Sequence, residues 1–199
     1  MIVSSSNKLT GWIEVVVGPM FSGKSEELIR RLNRAAIARQ PLKVFKPRID
    51  DRYHPENIVS HSEQSFSAFP IDSANDILRS LSSETRVVGI DEGQFFGPEL
   101  VHVCEKLADS GVRVIVVGLD LDFRGVPFSP MPELMAVAES VTKLTAVCSR
   151  CGSPANRSQR LNLPSSSNAQ VQVGAKEAYE ARCRFCFENP TYQPQGESP

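Results

Sequence analysis

With 199 residues, 41% of them hydrophobic and 23% charged, the chain can bury a core of ordinary domain size and has the make-up of a globular protein in water. A net charge of −1 argues against a nucleic-acid partner or an anionic membrane, and no apolar run approaches the roughly 18 residues of a membrane span. Met1 to Lys8 has no apolar signal-peptide core, so a cytoplasmic location is expected, where thiols stay reduced and paired cysteines read as metal ligands.

Ile13 to Val17 is a short β-branched run that reads as a buried strand. Behind it, Leu28, Ile29, Leu32, Ala35 and Ala36 recur at helical spacing, which predicts a helix from about Lys24 with one buried face. Leu42 to Lys46 reads as a second strand, cut off by Pro47. From Pro47 to about Pro70 the pattern fades into a polar stretch carrying His54 and His61, read as a long loop beside the active site. Arg86 to Ile90 is a third strand. Leu100, Val103, Cys104, Leu107 and Ala108 mark an amphipathic helix, with Cys104 on its apolar side, and Val112 to Val117 is a fourth strand. Strands alternating with helices predict an α/β fold, a parallel sheet flanked by helices with ligands at the carboxyl ends of its strands. The division expected is 1–144 for this domain, 145–190 for a small cysteine-bearing domain, and 191–199 for a disordered tail.

Between the first strand and its helix lies Gly18-Pro19-Met20-Phe21-Ser22-Gly23-Lys24-Ser25, an unbroken G-x-x-x-x-G-K-[ST] phosphate loop. Its glycines let successive backbone N–H groups converge on phosphate oxygens at the positive end of a helix. Lys24 is placed to reach the β- and γ-phosphates and Ser25 to ligate Mg²⁺. Asp91, ending the third strand, fits the second acidic group that holds Mg²⁺. The adjoining Glu92 is then free to take a proton from an attacking hydroxyl or water, unless it is a solvated loop residue.

Cys148-Ser149-Arg150-Cys151 and Cys183-Arg184-Phe185-Cys186 are two Cys-x-x-Cys pairs. Each pair presents two thiolates to one edge of a tetrahedral ion, so the four predict a closed structural Zn²⁺ site with no open catalytic position. The 31 residues between Cys151 and Cys183 exceed an ordinary ribbon, so they must loop out, tied at the base by metal. A loop so tied suggests a substrate lid.

These residues resemble the thymidine kinases of bacteria and animal cytosol. The resemblance runs through the phosphate loop and Leu28-Ile29-Arg30-Arg31, Asp91-Glu92-Gly93-Gln94-Phe95-Phe96, Gly118-Leu119-Asp120 with Phe123 and Phe128, and Lys143-Leu144-Thr145-Ala146-Val147-Cys148. It covers most of residues 11 to 188. It implies transfer of the ATP γ-phosphate to the 5′-hydroxyl of thymidine, and of deoxyuridine, in salvage of DNA precursors, by a homotetramer. Glu92 would be the base, with Gln94 and Arg52 joining the phosphate-loop residues and Asp91 around ATP, and Asp50 a weaker candidate beside Arg52. Met20, Phe95, Leu119, Phe123 and Phe128 would wall the base and sugar, although composition alone would make them core. The looped-out segment would grip the base edge through the backbone of Val171, Gln172 and Val173, with Tyr179 by the sugar and Ser158 by the 5-methyl group. Two departures from the family pattern stand out: Glu26, where threonine is common, and the stretch Leu163 to Gln170. A P-loop ATPase using Glu92 on water, or a zinc-ribbon interaction module, are the competing classes. The near-neutral charge argues against the first, and the intact Lys24, Ser25, Asp91 and Glu92 against the second.

Overall fold

The computed structural model describes residues 11–48, 57–59, 65–161 and 178–188. Arg52, Asp50, Val171, Gln172, Val173, His54, His61 and the 191–199 tail, each assigned something above, lie outside these residues.

Six parallel strands form the main sheet: β1 (Trp12–Val17), β2 (Leu42–Pro47), β5 (Phe69–Ile71), β6 (Val87–Ile90), β7 (Arg113–Gly118) and β8 (Ser140–Lys143), in the order β5-β2-β6-β7-β1-β8. Helices α1 (Lys24–Ile37), α2 (Asn75–Ser80), α3 (Glu99–Asp109) and α4 (Met131–Val137) cover it. Because strand side chains alternate, β1 feeds two cores. Ile13, Val15 and Val17 point toward Leu100, Val103 and Leu107 of α3 and Met131 and Leu134 of α4. Val16 points the other way, toward Leu28, Ile29 and Leu32 of α1, where Ile115 and Val117 of β7 join it. The parallel α/β sheet is as expected, buried on both faces. Cys104 is fully buried in the first cluster, and burial pushes its thiol up to about 12, so it is an inert core residue.

The structure departs from the expected elements in several places. Pro47 belongs to β2 rather than ending it, because at that point only β5 lies alongside, across from Ile71, while the β6 pairing stops at Phe45. The described part of the supposed loop contains an antiparallel pair, β3 (Asn57–Val59) with β4 (Ser65–Ser67), and then β5 at the sheet edge. Strands of three residues carry too little periodicity to announce themselves. Strand β8 carries no sequence signal either: as an edge strand it is largely exposed and has no apolar alternation.

Past β8 the strands are short. β9 (Ala146–Val147) pairs with β10 (Pro154–Ala155), and β11 (Arg157–Arg160) pairs with β12 (Tyr179–Arg182), both antiparallel. The buried cluster here is Ala146, Cys148, Ala155, Ala181 and Cys183, too little apolar surface to hold a fold by itself.

Candidate active site

The site lies at the carboxyl ends of β1, β6 and β7. The phosphate loop leaves β1 and enters α1 at Gly23, whose φ of 82° is left-handed and suits a residue without a Cβ. At Gly18 the need is space: a Cβ there would stand 2.7 Å from the Leu144 carbonyl oxygen and 2.8 Å from Ser22 Oγ. Within the loop, Ser22 Oγ and Lys24 Nζ each donate to the Pro19 carbonyl at 2.8 Å, which folds both polar side chains across the bend. Phe21 has a φ of 65° and is half exposed. Glu26 stays at the first turn of α1, its Oε2 3.9 Å from where a Cβ on Gly23 would sit, so its charge faces the helix N-terminus, where the dipole favours it.

Strand β7 lies between β1 and β6, so Asp91 arrives at the phosphate loop from the far side of one strand. Ser25 Oγ is 3.3 Å from Asp91 Oδ2 and 3.5 Å from Oδ1, while Oδ1 also accepts the Glu92 N–H at 2.9 Å. Glu92 sits at a φ of 51°, a left-handed conformation uncommon for a residue other than glycine. Such strain persists only where neighbours enforce it. Here the enforcing neighbour is Gln94, 3% exposed, whose Nε2 donates to Glu92 Oε2 and whose Oε1 accepts the Leu119 N–H at 2.9 Å. One buried amide therefore fixes the Glu92 carboxylate to the end of β7. Space for it exists because residue 118 is glycine: a Cβ there would lie 2.6 Å from Gln94 Oε1.

Beyond this centre the expected apolar wall is only partly bare. Phe95 and Phe128 meet edge to face, 6.2 Å between centroids and 86° between planes. Leu119 and Met20 are half-buried. Phe123 has two cations over its ring, Arg124 at 5.7 Å and Arg160 at 5.3 Å from its centroid. Ser158 Oγ, buried, accepts the Met20 N–H at 2.9 Å. Tyr179 stands across from Arg160 in the β11–β12 pair. Two charged arrangements carried no signal in the sequence. Lys143 Nζ of β8 lies 2.6 Å from the buried Asp120 carboxylate just past β7, and Asp122 Oδ1 accepts the N–H groups of Arg124 and Val126, shaping the turn that holds Phe123.

The four paired cysteines converge, their Sγ atoms all within 4.8 Å of one another. Gly152, φ 74°, closes the first knuckle as its N–H donates to the Cys148 carbonyl at 2.9 Å. In the second, the Cys186 N–H points at Cys183 Sγ, 3.4 Å away. Burial pushes the Cys148 thiol up, but backbone N–H groups of Cys183, Cys151 and Arg150 outweigh it and bring it down to about 6. Cys186 is pushed up to about 12, first by the Cys151 thiol against it. Four thiols in contact cannot all ionise unless a cation joins them, and an all-sulfur tetrahedral set fits structural zinc.

A phosphate loop between strand and helix, with an acid at the end of the next strand but one, defines a P-loop nucleotide-binding enzyme. The family model "Thymidine kinase" matches residues 11–187. A thymidine kinase of Rhodothermus sp. (strain ITI 518) is 57% identical over 180 residues, covering 90% of this chain and 83% of that protein. The chain belongs to the thymidine kinase family. Among the described residues no helix is long and apolar enough to cross a membrane.

Proposed function

We propose that this kinase transfers the γ-phosphoryl group of ATP to the 5′-hydroxyl of thymidine, and less readily of deoxyuridine, with Glu92 as the base. The observation that carries the assignment is the strained Glu92, its carboxylate oriented by Gln94 one residue past the acid that faces Ser25. The acceptor hydroxyl gives its proton to Glu92 as its oxygen attacks the γ-phosphorus, and the bond to the β,γ-bridging oxygen breaks to leave ADP. Ser25 and Asp91 are suited to hold Mg²⁺, which would neutralise charge on the phosphates. Lys24 exchanges the Pro19 carbonyl for phosphate oxygens when ATP arrives. Gly18 to Ser25 and Asp91 bind the triphosphate, with Gln94 acting there through Glu92 and Leu119, and Arg52 adds positive charge.

Met20, Phe95, Leu119, Phe123 and Phe128 wall the nucleoside, Ser158 and Tyr179 line it from the cysteine-bearing module of 145–190, and Val171, Gln172 and Val173 hold the base edge. The module then works as a lid tied by zinc. The working form is a cytoplasmic homotetramer, which light scattering on the purified enzyme tests directly.

The deciding experiment offers ATP with a panel of nucleosides and measures zinc on the same sample. Transfer to thymidine, less to deoxyuridine and none to purine nucleosides, with about one zinc per chain, is expected. ATP hydrolysis indifferent to nucleoside would discard the kinase assignment and leave a P-loop ATPase.

A further inference from the structure

Strand β11 presents different partners on its two sides. Ser158 and Arg160, two residues apart, share one side, and both meet the catalytic domain: Ser158 Oγ accepts the Met20 N–H at 2.9 Å, and Arg160 lies over the Phe123 ring. Gln159, between them, faces back into its own module, its Oε1 accepting the Glu188 N–H at 2.8 Å and its Nε2 donating to the Glu188 carbonyl at 3.2 Å. Across the ladder Ser158 pairs with Ala181 on β12, which runs into Cys183 two residues on. The cysteine cluster, β12, β11 and the phosphate loop thus form one continuous path.

Met20 is the third residue of the phosphate loop, and its N–H belongs to the Pro19–Met20 peptide, whose carbonyl accepts from Ser22 Oγ and Lys24 Nζ, just ahead of Phe21 with its positive φ. Met20 lies ahead of α1, so no helical carbonyl takes its N–H. The partner that fixes the peptide comes from 138 residues away.

We propose that Ser158 is a positioning residue for ATP: its hydroxyl sets the Met20 peptide and thereby the geometry of the phosphate loop, so that the cysteine-bearing module governs the nucleotide site as well as the nucleoside site. The inference rests on reading Gly18–Ser25 as the ATP site. It goes beyond a nucleoside contact for Ser158, because the atom it touches belongs to the phosphate loop.

The test is binding of a non-hydrolysable ATP analogue, without nucleoside, to the full-length zinc-loaded enzyme and its Ser158→Ala and Ser158→Thr variants. Ser158→Ala should weaken analogue binding roughly five- to tenfold, the worth of one fixed hydrogen bond, and Ser158→Thr, which keeps the hydroxyl, should restore most of it. Unchanged analogue affinity in Ser158→Ala, with only the KM for thymidine raised, overturns the proposal and leaves Ser158 a nucleoside contact. Hydrogen exchange at the Met20 amide of the unaltered enzyme gives a second reading that depends on no variant folding. Slow exchange is expected, and exchange as fast as in an open loop overturns the proposal. Neither reading uses phosphate transfer, so failure here is distinct from failure of the kinase assignment.

Discussion

Glu92 is held in the left-handed region by what surrounds it: the Asp91 carboxylate takes its N–H, and Gln94 holds its side chain. Glutamine in its place would keep the shape, and an amide-to-amide contact with Gln94 remains possible, but the group could no longer accept a proton. Glu92→Gln should therefore lower kcat by about 10²-fold or more while nucleotide binding stays near normal. Steady-state kinetics beside analogue titration separates the two, and near-normal turnover would remove Glu92 from the role of base. That an acid follows the third strand was legible in the chain. That Gln94 spans from it to Leu119 was not, because the contact depends on β6 and β7 lying side by side and on residue 118 lacking a Cβ.

Helix α1 illustrates what an element needs beyond its apolar stripe. Its charged residues form a relay that runs inward to the sheet: Glu27 meets Arg30 at 2.6 Å and Arg31 at 2.8 Å, Arg31 meets Glu14 of β1 at 2.7 Å, and Glu14 meets Arg113 of β7 at 2.7 Å. Arg31 Nη2 also donates to Thr142 Oγ1 of β8 at 3.0 Å, so one guanidinium pins the helix to two strands. Burial pushes the Glu14 carboxyl up, yet hydrogen bonds from Arg113 and Trp12 and the charges of Arg113 and Arg31 outweigh it and lower it. Glu27 is drawn from 4.5 to about 2, first by its hydrogen bond to Arg30. Arg30 is 59% exposed, so salt screens its share, and the nearly buried Arg31 is the more durable partner.

Both carboxyls are lowered in the folded state, so the unfolded chain takes up protons first as acid is added. The contribution of Glu27 to stability is complete above about pH 5 and is lost as pH falls from 4.5 toward 2, and that of Glu14 is lost in the same direction. Thermal melts across that window should show Glu27→Gln less stable than the parent at pH 6 and the gap closing at low pH. A gap that does not depend on pH would mean that Glu27 acts through packing instead. The helix itself was readable from Leu28, Ile29 and Leu32. The relay was not, since it joins residues 17, 99 and 111 positions apart.

At the scale of the whole molecule, buried apolar surface is unevenly shared along the chain. The parallel sheet has apolar cores on both faces, whereas the apolar core of residues 146–161 and 178–188 is alanines and cysteines, beside the buried polar Ser158, Gln159, Arg160 and Arg182. A metal on the four cysteines would supply what that core lacks. A strong chelator should abolish amide protection in β9 to β12 while β1, β6 and β7 keep theirs, and the same should follow from Cys183→Ser. Hydrogen exchange mapped along the chain checks this; uniform loss of protection would show the sheet to depend on the metal equally.

By itself the sequence determined the motif chemistry: the glycines, lysine and serine of the phosphate loop, the acids after β6, four thiols in two pairs, and the long apolar strands and helices whose periodicity is local. These are readable because each rests on residues within a few positions of one another. Only the tertiary structure decided how they act together: β7 separating the loop from Asp91, Gln94 clamping Glu92, Lys143 meeting Asp120, and Ser158 reaching Met20. Strand order and side-chain reach set those contacts, and neither is written in local spacing.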